Sequence, residues 1–395
     1  MNIGIVSTWF ERGAAYVSKQ FEQTLYKQGA DVFIYARGGE SYAIGNPDWD
    51  RPNVYWQKEK SFVTSYVDKK EFIKWLKQNE IDLVLFNEQH YWQAVIWAKQ
   101  EGVRTSAYID YYTQETAPLY GLCDSVIVNT LRHKSVFENH ANVIHIPWGT
   151  TTDDFIMRER SVDKVHFFHS CGMSPHRKGT DMLIKAAHRI KSDAFKLIIH
   201  SQVDLVSKMP ELKYEIEHLI NDNLLEVVEK TITKPGLYHL GDVYVYPSRL
   251  EGIGLTIAEA ISCGLPVIVP KNGPMNEFVT PESREADVEK YISRADGYYW
   301  PECITNIESL KTCLEDYLNI DLSEWANIRK STREYAVENF DWEKNSKELF
   351  EQLKTVELQP LDGSLQLKAS VIDNKGRPMF TKFSKLYNAL YRLLK

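Results

Sequence analysis

Short apolar segments alternate with longer amphipathic segments along most of the chain. Asn2–Ser7 is a short, mostly apolar run, which is typical of a buried parallel strand. Between Ala14 and Gly29, apolar residues recur every three or four positions, which predicts an amphipathic helix that Gly29 ends. Further strands are predicted at DVFIYA, DLVLFN, VRTSAYID, SVIVNT and NVIHIPW. Strands that alternate with helices predict βαβ crossovers and therefore an α/β fold with a parallel, doubly wound sheet.

A second series of the same kind begins after the polar, charged link Thr150–Lys164. Its predicted strands are VHFFHS, FKLIIHS, LLEVVE, VYVYPS and LPVIVP. Two doubly wound domains are therefore expected, at residues 1–155 and 156–340, and the chain is mostly helical after Asn306. Because ligands of such sheets bind at the carboxyl ends of the strands, we expect the site in a cleft between two facing domains.

Composition excludes several classes of protein. The 395 residues are 43% hydrophobic and 26% charged, as in an ordinary globular protein. The chain has neither a long apolar run nor a basic leader, and its five cysteines form no Cys-x-x-Cys, so we expect a cytoplasmic protein with reduced thiols. The net charge of −7 argues against a nucleic-acid partner.

The last residues differ from the rest in charge. Residues 374–395 contain six basic residues and no acidic one, with Met379, Phe383, Leu386 and Leu390 at helical spacing. A basic amphipathic helix of this kind can lie on an anionic membrane surface. The alternative is a closing helix that packs on the acidic body of the protein.

The stretch Asp242–Pro270 carries the clearest chemistry. A predicted strand ends at Pro247, Glu251 lies in a glycine-containing loop, and a helix that begins near Gly254 carries Glu259. Main-chain N–H groups at a helix start bind anions, while carboxylates accept hydrogen bonds from hydroxyls. Such a pair of acids around an anion site suits a nucleotide sugar.

In this stretch the chain resembles the family-4 retaining glycosyltransferases of the GT-B fold, also called glycosyl transferases group 1. Their motif is a Glu, seven residues and a second Glu within PS-x-x-EG-x-G-x-x-x-x-EA-x-x-x-G-x-P-V, and this chain has it from Pro247 to Val267, with Glu251 and Glu259 as the acids. SCGMSPHRKGTDMLIKAA resembles the family's phosphate-binding segment, ERGAAYVSKQF its glycine turn, and KNGPMNEFV its turn after the last long strand.

The resemblance implies a division of roles. Glu259 would hydrogen-bond the donor ribose, Glu251 would hold the hydroxyls of the transferred sugar, and Lys178 would neutralise the pyrophosphate. The residues expected at the donor are Gly13, Gly172, Arg177, Lys178, Glu251, Gly252, Ile253, Gly254, Leu255, Thr256 and Glu259. The family usually needs no metal, so neither a metal nor another cofactor is expected. Residues 341–395 would be helices that return toward the N-terminal domain.

Two departures from the family pattern stand out. Asp110 occupies the place where many members have a His that contacts donor or acceptor, and Gly172 and Met173 lie where an Arg precedes the Lys. Arg177 is the nearest substitute for that Arg. Asp110 either contacts substrate or caps a following helix, and His90 either enters the cleft in place of the missing His or packs structurally. Together with Glu251, they are the candidate catalytic residues.

The resulting prediction is a metal-independent, retaining enzyme that moves a sugar from UDP or GDP to a hydroxyl of a glycan, a lipid-linked glycan or another glycoconjugate. The two departures leave an alternative open, a catalytically silent GT-B scaffold or glycan-binding subunit. A dinucleotide oxidoreductase has little support, because no G-x-G-x-x-G follows the first strand.

Overall fold

Two parallel sheets are the framework of the chain, whose computed structural model describes residues 1–11, 13–37, 43–58, 65–158 and 163–374. The strands are β1 (Asn2–Ser7), β2 (Asp31–Ala36), β3 (Val54–Trp56), β4 (Leu83–Asn87), β5 (Arg104–Tyr108), β6 (Ser125–Val128), β7 (Val143–His145), β8 (Val165–Gly172), β9 (Phe195–Ser201), β10 (Leu225–Glu229), β11 (Val243–Val245), β12 (Val267–Pro270), β13 (Arg284–Ala286), β14 (Val288–Ile292) and β15 (Glu302–Thr305). The helices are α1 (Gly13–Lys27), α2 (Lys69–Gln78), α3 (Gln93–Gln100), α4 (Leu131–Phe137), α5 (Thr180–His188), α6 (Leu205–Lys208), α7 (Lys213–Asn221), α8 (Leu255–Ser262), α9 (Ile307–Leu318), α10 (Trp325–Asn339), α11 (Trp342–Asn345), α12 (Leu349–Lys354) and α13 (Gly363–Asn374).

The chain divides into two units. Among the described residues, the first comprises those within Met1–Asn129, His133–Ile146 and 346–374, and the second those within Thr130–Arg132 and Pro147–Asn345. The predicted domain limits lie close to these divisions and stay predictions.

The sheets of the two units have the same strand order at their centres. The first is β3-β2-β1-β4-β5-β6-β7 and the second is β10-β9-β8-β11-β12-β13, and every neighbouring pair is parallel. The strand order therefore reverses between β1 and β4 in the first unit and between β8 and β11 in the second. In a doubly wound sheet, such a reversal opens a crevice at the carboxyl ends of the two strands. The predicted α/β, doubly wound architecture is confirmed.

Local sequence explains the central elements. β1 and β4 are mostly apolar and almost entirely buried, as strands covered on both faces must be. In α1, Val17, Phe21 and Leu25 recur every fourth residue on the buried face, and Gly29, with a φ of +93°, follows the end of that helix.

Several elements were not predicted. β3 has only three residues, all half-buried, and β13 is equally short. β14 and β15 form a separate antiparallel pair, and most of β14 is exposed. Such segments lack the apolar run or the strict alternation that marks a strand in sequence.

Two buried aspartates tie the residues after Ser346 to the rest of the first unit. Asp373 accepts hydrogen bonds from the main-chain N–H groups of Trp92, at 3.2 Å, and Gln93, at 3.0 Å, and so caps α3. Asp124 accepts from the N–H of Gln359 at 2.7 Å. Residues 375–395, which carry nearly all of the predicted basic tail, lie outside the described residues. No helix within the described part of the chain is long and apolar enough to cross a membrane.

Candidate functional site

Two loops of the second unit meet where its strand order reverses. One follows β8 and leads into α5, and the other follows β11 and leads into α8. Gly179 precedes α5 with a φ of +72°, and Gly254 precedes α8 with a φ of +89°. A Cβ at Gly179 would lie 2.0 Å from the carbonyl oxygen of Pro247, so glycine is required for this close approach of the two loops.

The carboxylate of Glu251 accepts hydrogen bonds from three side chains of these loops. Its Oε1 accepts from Arg177 Nη1 at 2.9 Å, from Lys178 Nζ at 2.7 Å and from Ser248 Oγ at 2.6 Å. Burial disfavours the charged form, but Lys178 and Arg177 outweigh it and lower the pKa of Glu251 to about 2. Glu251 is therefore ionised at physiological pH and already paired with two cations.

Lys178 is held between Glu251 and an aromatic ring. Its Nζ donates to the hydroxyl of Tyr246 and lies 4.7 Å from the centre of that ring. Its side chain is only 14% exposed. Burial lowers the pKa of Lys178, and the neighbouring Glu251 opposes this effect.

A buried ion pair that the sequence analysis did not identify holds the same two loops together. Arg249 donates to both carboxylate oxygens of Asp181, each at 2.7 Å, and also to the carbonyl of His176. Burial raises the pKa of Asp181, but the bonds from Arg249 outweigh it and leave that pKa below its usual value. This two-bond contact joins the first turn of α5 to the loop before α8, and therefore fixes Lys178 relative to Glu251.

The start of α8 brings the other predicted donor residues to the same edge. Gly252, Leu255 and Thr256 are half-buried, whereas Ile253 is buried. The first N–H groups of a helix have no partners within it, so Leu255 and Thr256 present donors at this end.

Glu259 lies one turn further along α8. Its Oε2 accepts from the hydroxyl of Tyr238 at 2.5 Å, and burial raises the pKa of Glu259. The second predicted acid is thus in a different environment from Glu251, bonded to a neutral hydroxyl instead of to cations.

The two remaining glycines have different surroundings. Gly172 ends β8 with a φ of +54°, on the loop that carries Arg177 and Lys178. Gly13 begins α1 in the first unit, where a Cβ would meet no atom within 4 Å. The structure therefore brings together all predicted donor residues except Gly13 within the second unit.

His90 and Asp110 lie at the carboxyl edge of the first unit's sheet, His90 after β4 and Asp110 after β5. The main-chain N–H of His90 donates to Ser65 Oγ at 2.7 Å, and its ring meets that of Tyr111 at 5.6 Å. Burial, with a smaller effect of Arg37, lowers the pKa of His90 to about 4, so its imidazole is neutral near pH 7.

The helix-capping interpretation of Asp110 is wrong. No helix follows it directly, because the chain stays irregular until the 3₁₀ turn Ala117–Leu122, which is preceded by Thr116. Asp110 is half-buried, and its substrate contact stays a prediction.

Arg37 is a further residue at this edge that the sequence analysis missed. It is buried after β2 and donates to the carbonyls of Val6, Asn87 and Glu88. Glu88 has a φ of +49° and Ser65 a φ of +55°, so two residues other than glycine adopt the left-handed conformation near His90. Such strain is typical of functional sites. Among the described residues, no three His, Cys, Asp or Glu side chains form a set that could hold a metal ion.

Comparison with known proteins finds a family model that matches part of the chain. Residues 164–296 match the family model described as Glycosyl transferases group 1, which covers both loops of the second unit's edge.

Two curated relatives illustrate the sequence similarity. The GDP-mannose-dependent alpha-(1-6)-phosphatidylinositol monomannoside mannosyltransferase of Mycolicibacterium smegmatis is 24% identical over 56% of this chain and 59% of its own. The O-antigen chain mannosyltransferase RfbU of Salmonella typhimurium is 28% identical over 42% of this chain and 44% of its own. The chain thus spans about half the length of these curated relatives.

Solved structures share the fold over most of the chain. A glycosyltransferase from Rickettsia africae superposes with a TM-score of 0.69 at 17% identity, covering 90% of this chain and 99% of that one. Anabaena Alr3699/HepE in complex with UDP-glucose superposes with a TM-score of 0.65 at 17% identity, covering 90% and 100%. The resemblance predicted from the motif is confirmed: over residues 164–296 the chain matches the glycosyl transferases group 1, and its fold is that of the GT-B glycosyltransferases.

Proposed function

We propose that this protein is a retaining glycosyltransferase that moves a sugar from a nucleoside diphosphate, UDP or GDP, to a hydroxyl of a glycan, lipid-linked or other glycoconjugate acceptor. The observation that carries the proposal is the cluster of Glu251, Lys178 and Arg177 beside the start of α8. Support for the donor class comes from the relatives, one named as GDP-mannose-dependent and one solved with UDP-glucose.

The cluster suits the charge that develops during transfer. As the bond between sugar and phosphate breaks, negative charge builds on the diphosphate and positive charge on the sugar. In the proposal, Lys178, Arg177 and the N–H groups of Leu255 and Thr256 stabilise the leaving diphosphate. Glu251 holds the sugar hydroxyls beside the reacting carbon, and Glu259 accepts from the ribose.

The proposed reaction needs no metal, because these cations and the helix start neutralise the diphosphate. The proposed acceptor side is the first unit, where His90 and Asp110 would contact the incoming hydroxyl or the transferred sugar. Since His90 is neutral near pH 7, one nitrogen of its imidazole can accept a hydrogen bond from that hydroxyl.

Contact of residues 374–395 with an anionic membrane is also part of the proposal, and would bring the enzyme to a lipid-linked acceptor. The sequence supports it by six basic residues with apolar residues at helical spacing. Co-sedimentation of the full chain with phosphatidylglycerol vesicles tests it, against phosphatidylcholine vesicles as the control. Equal recovery from both would contradict it.

The first test is a thermal-shift panel with UDP, GDP, ADP and their common sugar conjugates, with and without EDTA. A ligand at 100 times its Kd adds about 2.7 kcal/mol, which raises the melting temperature by several degrees. We expect UDP or GDP to stabilise the wild type but not Glu259→Ala, and EDTA to change nothing. Loss of stabilisation with EDTA would contradict the metal-free reaction.

The same panel, together with an assay of donor-sugar hydrolysis and transfer, decides between the enzyme and the silent scaffold. The scaffold alternative rests on Asp110 and on the missing arginine at Gly172 and Met173. No shift with any nucleotide would favour it, as would binding without hydrolysis or transfer of the donor sugar.

A further inference from the structure

Three buried tyrosines form a row beneath the start of α8. The rings of Tyr244 and Tyr246 are stacked, with centroids 5.4 Å apart and an angle of 25° between their planes. Tyr238 meets Tyr244 edge to face at 5.7 Å. Tyr244 lies in β11, and Tyr246 directly follows that strand. The N–H of Tyr246 still donates to the carbonyl of Ile268 in β12 at 2.8 Å, so the two side chains point to the same face of the sheet.

Each hydroxyl of this tyrosine row is hydrogen-bonded to a different candidate donor residue. Tyr246 receives a hydrogen bond from Lys178 Nζ. Tyr244 donates to Thr256 Oγ1 at 3.0 Å, and Tyr238 donates to Glu259 Oε2 at 2.5 Å. The hydrogen-bond partners of the three hydroxyls are therefore Lys178, Thr256 and Glu259.

The protonation of the three hydroxyls suits them for this task. Burial raises the pKa of Tyr238, Tyr244 and Tyr246 well above the usual value, and nearby carboxylates add to the effect. The hydroxyls therefore stay neutral while they bond to ionised or polar partners. A neutral hydroxyl can hold a lysine or a glutamate without cancelling its charge.

We infer that the tyrosine row positions the donor site, with Tyr246 placing Lys178 for the phosphates and Tyr238 placing Glu259 for the ribose. The inference rests on the proposed function, because it takes the roles of Lys178 and Glu259 from it. It adds as positioning residues Tyr244 of β11, Tyr246 directly after that strand, and Tyr238 of the 3₁₀ turn Tyr238–Leu240 just before it.

The geometry explains why Lys178 needs a second partner. A lysine side chain has a flexible four-carbon stem, and Glu251 alone would draw the ammonium toward its own carboxylate. The Tyr246 hydroxyl holds the Nζ atom from another side, and its ring adds a cation–π contact at 4.7 Å. The ammonium is thereby kept in a defined place before any diphosphate arrives.

The test compares single tyrosine-to-phenylalanine variants of the full chain. Tyr246→Phe and Tyr238→Phe each remove one hydroxyl and keep the ring. Tyr317→Phe is the matched control, since its buried hydroxyl donates to the carbonyl of Glu282 at 2.6 Å within the same unit and contacts none of the donor residues. Titration measures the affinity of each protein for UDP and uridine, and for GDP and guanosine.

For the nucleotide pair that the wild type binds, Tyr246→Phe should weaken the diphosphate about tenfold and leave the nucleoside unchanged, because a lost bond to a charged group costs about that much affinity. Tyr238→Phe should weaken the diphosphate and the nucleoside by the same factor. Tyr317→Phe should change neither affinity. Unchanged nucleoside binding by Tyr246→Phe also shows that this variant is folded.

The possible failures are distinct. A wild type that binds neither UDP nor GDP overturns the proposed function and the inference with it. A wild type that binds one of them, with Tyr246→Phe and Tyr238→Phe no different from Tyr317→Phe, overturns the inference alone. If Tyr246→Phe weakens the affinity for the nucleoside and for the diphosphate equally, the inference alone is again overturned, because such a result indicates that the whole site is less ordered.

Discussion

The loops after β8 and β11 in the second unit and those after β4 and β5 in the first unit lie at the carboxyl edges of two sheets that share the same central strand order. In the second unit, this edge carries ionised side chains, with Glu251 bonded to two cations. In the first unit, it carries the neutral imidazole of His90 and the buried Arg37, which donates to main-chain carbonyls.

The difference shows that the fold sets the place of a site and the side chains set its chemistry. A paired cluster of charges suits a ligand that brings its own charge, such as a diphosphate. A neutral base beside aromatic rings suits a ligand of hydroxyl groups. Mutations at the two edges are therefore expected to impair different properties: nucleotide binding at the edge of the second unit and sugar transfer at the edge of the first.

The largest expected effect concerns the glycine after the first strand of each sheet. Gly179→Ala places a Cβ 2.0 Å from the carbonyl oxygen of Pro247 at a φ of +72°, and should lower the free energy of unfolding by about 3 kcal/mol. Gly13→Ala meets no atom within 4 Å and should change it by less than about 0.5 kcal/mol. Urea unfolding of both variants measures this. Equal losses would mean that the two turns are equally tight.

The second effect separates the two edges by ligand. Lys178→Met should weaken UDP or GDP binding about thirtyfold, since it removes a charged partner of the diphosphate and keeps the length of the side chain. His90→Gln should leave nucleotide binding unchanged and slow sugar transfer about tenfold. Calorimetric titration and a transfer assay provide the two measurements. Weaker nucleotide binding by His90→Gln would contradict the division of roles.

The smallest effect is a loss of stability in weak acid, for which we compare one histidine in each unit, the buried His169 and the half-buried His90. His169 lies in β8, fully buried between the carbonyl of Val245 and the hydroxyl of Thr180, and burial lowers its pKa to about 4. As pH falls below about 6.5, the imidazole of His169 becomes protonated in the unfolded chain but stays neutral in the folded chain. The free energy of unfolding therefore decreases until the pH reaches about 4.

For His169 the loss between pH 7 and pH 5.5 should be about 1 kcal/mol, and His169→Asn should remove it. His90→Asn should reduce the pH dependence in the same direction, since the pKa of His90 is also about 4. Urea unfolding at the two pH values tests both. A pH dependence that neither variant reduces would show that other groups cause the loss.

Much of the fold and of the candidate donor site could be predicted from the sequence, because both depend on local pattern. Buried parallel strands are continuous apolar runs. The motif from Pro247 to Val267 has its glycines and acidic residues at fixed spacings. The positions of Glu251 and Lys178 on neighbouring loops then follow from the strand order.

The missed features depend on residues that are distant in sequence. Arg249 and Asp181 are separated by 68 positions, and each looks like an ordinary surface charge in its own loop. The tyrosine row looks like core packing, because sequence does not show where a hydroxyl points. The left-handed conformation of Glu88 has no signal in composition, since glutamate rarely adopts it.

The cap that Asp373 provides for α3 has a consequence for the order in which the chain is made. Asp373 follows its partner Trp92 by 281 residues, and all of Pro147–Asn345 is synthesised between them. At about 5 to 20 residues per second, a ribosome needs about 15 to 60 s to cover that distance. The second unit is thus complete on the ribosome while the first still lacks its last helices, so the unit that is begun first is finished last.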